Sequence, residues 1–412
     1  MTKSLLISAL PGEYRAALAD AGELVDFRLA RIVGASHAGE IFLGRVVALR
    51  PALRAALIDI GLDRPAYLSA DDIVPRGALA SLQEGAAITV QVKRDARADK
   101  GAAVTMRVTF RDATSRSAIE EASRNAKPPC CLDSVPPLEA LLADLIAQEP
   151  DTILIDDMAA YAELRLWLGR FHPALAPRLQ SYRGDEPIFS AYGVADAIEE
   201  LFGRQVSLPG GAKLVIETLA AATLIDVDSG SLSDERKTGE EAFLVVDLAA
   251  ASECVRQIRL RGLAGALVVD FIPLRRTAAR VLVLEALRSA LSVGAPDVQL
   301  LGWTKLGHME MTRPRRRAPL HDIVFERNPQ GGWVKTGMTV ALEALAAAAR
   351  QAAISPSSAP VLHLHPAIVA ILDGEAAPAR HALEARLGQA LSIVPEPGRS
   401  SDSFTLGGVR PI

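Results

Sequence analysis

Two apolar runs in this chain end on acid groups: Leu224-Ile225-Asp226-Val227-Asp228-Ser229-Gly230 and Ala266-Leu267-Val268-Val269-Asp270-Phe271. Short β-branched runs read as strands, and a carboxylate closing a strand stands at the rim of a sheet, where open α/β sheets bind ligands. Strand alternation places Asp226 and Asp228 on one face, about 7 Å apart, and Ile225 and Val227 on the other. Asp270 follows Asp226 by 44 residues (270 − 226), room enough for a helical crossover between parallel neighbours. Carboxylates with no thiol or paired imidazole nearby suit a hard cation such as Mg2+ better than zinc. A cation held there neutralises phosphate charge and makes a water nucleophilic, which is what phosphodiester hydrolysis requires. The plainer alternative, that each aspartate only ends its strand and caps the following turn, stays open on pattern alone.

The surrounding segments read as several units. Residues 5–10 form a strand and 13–21 a short helical stretch. Between 39 and 110 the pattern changes to five short strands (41–49, 53–60, 66–68, 88–93 and 102–110), which fits a small barrel of the OB type. Residues 111–129 are polar and read as a connection. Leu138, Leu141, Leu142, Leu145 and Ile146 then make a helical stripe, 152–155 a buried strand and 158–169 a second helix, the wiring of an α/β fold. Residues 207–211 are a turn before the strand 213–218, which should lie beside the Asp226 strand. A helix over about 248–261 leads to the Asp270 strand, and residues 341–353 are an alanine-rich core helix in a small terminal α/β unit.

Charge and composition bound the partners. Lys and Arg number 45 against 49 Asp and Glu, a net −4, which excludes a global polycation and leaves any nucleic-acid contact to local patches. Three cysteines (Cys130, Cys131, Cys254) form no CxxC pair and no disulfide framework; with no signal-peptide pattern and no membrane-length apolar run, a cytoplasmic protein off the membrane is expected. The densest basic run is Arg313-Pro314-Arg315-Arg316-Arg317; its arginine forks suit phosphate and, with Arg275 and Arg276, are expected to line an RNA path.

Several motifs together resemble the ribonuclease E/ribonuclease G family: Tyr182–Phe189 leading into 193–211, Ile225–Gly230 (I-D-V-N-S/T-G in the family), Arg256–Arg261, Val268–Ile272 and Gly307–Arg313 (G-L-x-E-M-T-R). Residues 55–61 and 99–103 are similar to the family's S1 barrel. The resemblance implies an RNase H-like domain (1–35 and 128–203) interrupted by an S1 (OB-fold) RNA-binding domain (36–110). A DNase I-like catalytic subdomain (204–325) and a small C-terminal α/β domain (335–412) follow. The implied activity is Mg2+-dependent endonucleolytic cleavage of single-stranded RNA leaving 5′-phosphate ends, in RNA processing or decay such as ribosomal RNA maturation. Asp226 and Asp270 fall on the metal-binding catalytic aspartates, and Asp228 falls where an Asn orients the phosphate. Tyr67, Lys100 and Leu57 fall on RNA-facing barrel positions.

Departures from the family pattern accompany these matches. Asp228 adds a charge in place of a neutral amide; Ala220 replaces a Glu; Val246-Asp247 replaces Thr-Asn; Pro273 replaces an Asp; and Leu57 replaces a stacking aromatic. A catalytically weakened RNA-binding protein of the same family is the alternative they raise. The 110–130 segment is much shorter than the family's region that senses 5′-monophosphate ends. Residues 323–332 replace the family's zinc-binding thiols, so no zinc-linked tetramer is expected and a homodimer remains compatible.

Overall fold

The computed structural model describes residues 3–34, 36–75, 78–96, 100–111, 113–219, 221–230, 239–315, 317–328, 332–355 and 359–409. Arg316, Ala220, Asp99 and Gly331, singled out above, lie outside the described residues. The chain divides into two compact units, residues 1–34 with 141–412, and residues 35–140.

The first unit opens with an antiparallel meander, β1 (Lys3–Leu10), β2 (Glu13–Asp20) and β3 (Glu23–Arg31). Residues 13–21, expected as helix, are thus mostly strand. Their alanines suit a helix, but the segment is an interior strand of its sheet and Ala16, Ala17 and Leu18 are fully buried. Burial on both faces and pairing on both edges outweigh the local propensity.

In the second unit β4 (Ile41–Arg50), β5 (Ala55–Asp59), β6 (Ala66–Ser69), β7 (Ala87–Arg94) and β8 (Ala103–Thr105) close a five-stranded barrel in the order β4-β5-β6-β8-β7-β4. The β6–β8 pair is parallel and the others antiparallel, consistent with an OB-type barrel. Gly101 makes the closure before β8 possible, since a Cβ there would come within 2.0 Å of the Pro65 carbonyl oxygen. The expected strand over 102–110 is only three residues long. The polar 111–129 stretch is not a plain connection: it contains α1 (Ala113–Asn125), whose one buried side chain is Ile119. So little apolar surface leaves almost no helical stripe to read. Then β9 (Cys130–Asp133) pairs with β4, and α2 (Pro137–Ile146) carries the chain on.

In the first unit β10 (Thr152–Ile155) joins β1 in parallel, α3 (Met158–Phe171) follows, and β11 (Leu179–Ser181) completes the sheet β11-β10-β1-β2-β3. The short helices α4 (Ile188–Ala191) and α5 (Ala195–Glu200) lead to a second sheet. Its strands are β12 (Gln205–Ser207), β13 (Lys213–Thr218) and β14 (Ala222–Asp228), then, after α6 (Glu240–Leu260), β15 (Gly265–Asp270), and, after α7 (Thr277–Gly294), β16 (Gln299–Trp303) and β17 (Met309–Arg313). They stand in the order β12-β13-β14-β15-β17-β16. Helix α6 starts earlier than its apolar period suggested, because Glu240 and Glu241 fill a first turn where acids favour the helix dipole.

One face of this sheet packs on α6 and α7. Leu214, Ile216, Ile225, Val227, Leu267, Val269, Met309 and Met311 meet Val246, Ala250, Cys254, Ile258, Val283 and Leu287 in one core. The alternate residues are left on the open face. Beyond it come α8 (Leu320–Val324) and the hairpin of β18 (Phe325–Arg327) with β19 (Trp333–Lys335), then α9 (Gly337–Ile354). The chain ends with β20 (Ala359–Leu364), α10 (Pro366–Asp373), α11 (Ala377–Leu387), β21 (Ser392–Pro395) and β22 (Phe404–Val409), whose strands form the sheet β21-β20-β22. Ala341, Ala344, Leu345 and Ala348 of α9 are fully buried, as a core helix requires. Among the described residues no helix is long and apolar enough to cross a membrane.

Candidate active site

Strands β14 and β15 run parallel through the crossover helix α6, and their register sets Asp226 directly beside Asp270. Neighbouring strands lie about 4.8 Å apart, so the two acids leave adjacent backbones. Both are exposed, between inward-facing neighbours: Ile225 and Val227 flank Asp226, and Val269 and Phe271 flank Asp270. The sequence placed Asp226 and Asp228 on one face, and the burial alternation of β14 agrees.

The electrostatics follow from that crowding. Partial burial, then the neighbouring Asp270 and Asp228, push the Asp226 carboxyl above its ordinary range. Like charges at one edge raise a pKa in this way, and a bound cation relieves the repulsion. Mg2+ keeps several of its waters and needs only one or two protein carboxylates, so the open Asp226–Asp270 pair fits it. Among the described residues no group of three or more His, Cys, Asp or Glu side chains is already gathered as a metal cage.

Asp228 is differently engaged. Its Oδ1 accepts the Gly230 amide at 2.9 Å, and its Oδ2 lies 3.3 Å from the Lys213 ammonium. The Gly230 amide, and then Lys213, hold its carboxyl below the ordinary range. The turn depends on Gly230, which has φ +57° and whose Cβ, if present, would come within 2.2 Å of the Gly211 carbonyl oxygen.

Two residues at this edge were not anticipated. Lys213 is the register partner of Asp228 across β13–β14; counting back through the short 219–221 connection could have found it. His308 precedes β17, with Nε2 3.6 Å from Asp270 Oδ1, where the family motif has Leu. Beneath the edge, Asp247 of α6 is fully buried, and its Oδ1 accepts the Ile272 amide at 3.1 Å just past Asp270. Its Oδ2 has no hydrogen-bond partner, and burial pushes the carboxyl up to about 7.

The described arginines of the basic run, Arg313, Arg315 and Arg317, are not brought to the acids. Strand β17 is antiparallel to β15, so Arg313 pairs with Gly265, at the far end of the strand from Asp270. Five strand steps separate the two ends, roughly 17 Å. Arg313 ion-pairs with Asp297 at 3.0 Å and donates to the carbonyl oxygens of Ile258 and Leu263. Arg315 packs over Gly265, and Arg317 donates to the Arg259 carbonyl oxygen, burial lowering its pKa to about 9. Arg275 and Arg276, in contrast, stand in the loop leaving the Asp270 strand, and Arg276 sits opposite Glu240.

In the barrel unit, Leu57 and Tyr67 are register partners on β5 and β6. Tyr67 is 39% exposed between the buried Ala66 and Leu68, so it faces outward and is not a core residue. Lys100 is exposed on the lead-in to β8.

The Ribonuclease E/G family model matches residues 78–316. The chain belongs to that family. Ribonuclease G of Salmonella typhimurium is 26% identical to it, the alignment covering 98% of this chain and 99% of the relative. Ribonuclease G of Haemophilus influenzae is 27% identical over 90% of this chain and 92% of its own. Ribonuclease E of Escherichia coli is 25% identical over 76% of this chain, but only 37% of that longer protein is covered. The family match spans β13 to β17, and with them both acid-bearing strands.

Proposed function

We propose that this protein is a Mg2+-dependent endoribonuclease that cuts single-stranded RNA and leaves 5′-phosphate ends, working in the cytoplasm in RNA processing or decay such as ribosomal RNA maturation. The observation that carries the reading is the in-register pair Asp226–Asp270 on the open face of the second sheet, within a chain of the ribonuclease E/G family. When bound, Mg2+ supplies a Lewis acid for the phosphate and lowers the pKa of a water. Asp226 and Asp270 are the residues that would hold it. Asp247 steadies the strand exit behind Asp270 through the Ile272 amide. The outward Leu57–Tyr67 pair and Lys100 would receive RNA bases and backbone on the barrel, one aromatic platform fewer than the family pattern. In this reading the five-stranded sheet is the RNase H-like domain, the barrel is S1, and the sheet bearing the acids is the DNase I-like subdomain.

Incubation of the protein, Asp226→Asn and Asp270→Asn with a labelled single-stranded RNA tests the reading. Cleavage by the unaltered protein alone, abolished by EDTA and restored by Mg2+, is expected. Equal, metal-independent cleavage by all three preparations would point to a contaminant and sink the proposal. The departures at Asp228 and Asp247 favour a second reading, an RNA-binding protein that has lost turnover. Salt-sensitive binding with no Asp270-dependent cleavage would establish it.

A further inference from the structure

The acid edge carries one charge more than the family pattern, because Asp228 stands where a neutral amide is expected. A third carboxylate beside Asp226 and Asp270 would repel an incoming phosphate. The fold sets a cation against it. Lys213 faces Asp228 across β13–β14 with its ammonium 3.3 Å from Oδ2, while Oδ1 is taken by the Gly230 amide. Both oxygens of Asp228 are therefore engaged away from the Asp226–Asp270 pair.

Position and energetics both leave Lys213 available to substrate. Val215, two residues along β13, is the register partner of Asp226, so Lys213 starts about 7 Å along the strand from the acid pair. A flexible four-carbon stem with a charged head spans such a distance. The Lys213 and Asp228 side chains are 37% and 43% exposed, and solvent screens a pair this open so that it contributes little to stability. A phosphate oxygen draws the ammonium away at little cost, because the bond it forms there is charge-assisted like the one it replaces.

We propose that Lys213 binds the scissile phosphate of the RNA and that Asp228 is a positioning residue for its ammonium, the two replacing the neutral amide of the family pattern. The inference rests on the nuclease reading above. It goes beyond that reading in giving the phosphate a lysine and in making Asp228 act through that lysine.

The test is a double-mutant cycle of Lys213→Gln, Asp228→Asn and the double variant, with Lys213→Arg and Asp270→Asn alongside. The readouts are kcat and KM on a fluorogenic single-stranded RNA in Mg2+, and binding of the same RNA without divalent ions across a salt series. Lys213→Gln is expected to lower kcat/KM about 100-fold, since it removes the cation and leaves the carboxylate uncompensated. It also flattens the log–log salt slope by about 0.7, one phosphate contact on a single strand. Adding Asp228→Asn to Lys213→Gln recovers about tenfold, and Lys213→Arg stays within about fivefold of the unaltered protein, a rescue that a merely structural role does not give. Lys213→Gln cutting and binding like the unaltered protein would overturn the proposal, as would a double variant no better than Lys213→Gln alone. If no preparation cleaves, the nuclease reading fails, and the salt slope still decides whether Lys213 contacts phosphate.

Discussion

Replacing Asp247 with Asn, the residue the family pattern has there, should reshape how stability depends on pH. Asp247 is fully buried with one amide donor, Ile272 N–H, and one oxygen without a partner. Burial raises its carboxyl to about 7 from an ordinary 3.8. Between those two values the folded chain holds a proton that the unfolded chain has released. Stability contributed by this group therefore falls by about 1.4 kcal/mol per pH unit as pH rises through that window, and levels off above the folded value. Below pH 4 the group is protonated in both states and contributes no slope. Asn keeps an acceptor for the Ile272 amide and does not ionise, so the variant lacks this slope. From pH 5 to pH 8 the stability of Asp247→Asn relative to the unaltered protein should rise by up to about 3 kcal/mol, on the two units of the window lying between pH 5 and 7. Melting curves at pH 5, 6, 7 and 8 for both proteins would show it as a difference in Tm that grows by several degrees. A difference in Tm that stays constant across the range would refute the reasoning and place the titration of Asp247 outside the folded-state balance.

Gly230→Ala should cut kcat at least tenfold and lower Tm, because a Cβ cannot fit 2.2 Å from the Gly211 carbonyl oxygen and the Asp228 turn must open; unchanged kinetics would contradict this. Arg313→Ala should lower stability by about 3 kcal/mol, the typical cost of stranding a half-buried ion-pair partner, here Asp297. RNA affinity in that variant should stay within about twofold, whereas a large affinity loss at unchanged Tm would return Arg313 to the RNA path. Tyr67→Ala should do the reverse, weakening RNA binding by ~1–3 kcal/mol, the typical worth of a stacked base, with Tm unchanged.

What the sequence made legible was the local alternation. The strands ending at Asp226 and Asp270 are β-branched runs whose inward residues are unmistakably apolar, and an intervening helical stretch implied a parallel crossover. Their joint edge followed, and the register confirms it to the residue. Residues 13–20 defeated the same reasoning because an alanine-rich interior strand has no alternation to display: both of its faces are covered. Helix α1 failed for the opposite reason, having almost no buried face. Lys213 was hidden because the ion pair exists only through the β13–β14 register. The shortness of the connection made the two strands neighbours, and only counting the register back from it sets Lys213 opposite Asp228.

Strand direction explains the remaining discrepancy and decides which charges an RNA phosphate meets. Arg313 to Arg317 follow a matched family motif in sequence, and closeness to that motif read as closeness to the site. Yet β17 enters the sheet at the acid edge, with Met309 beside Val269, and leaves at the opposite edge, with Arg313 beside Gly265. Along β17 each residue after Met309 lies further from Asp270, so Arg313 and Arg317 arrive where an acid and backbone carbonyl oxygens absorb them. Among the described residues, cationic groups nearer the acids come from other elements, including Lys213 on β13 and Arg275 and Arg276 in the loop leaving β15, and the His308 imidazole ahead of β17 lies beside Asp270. A phosphate approaching Asp226 and Asp270 therefore meets side chains from three separate segments, each placed by a strand end, and the density of arginine in the sequence is a poor guide to the field it experiences.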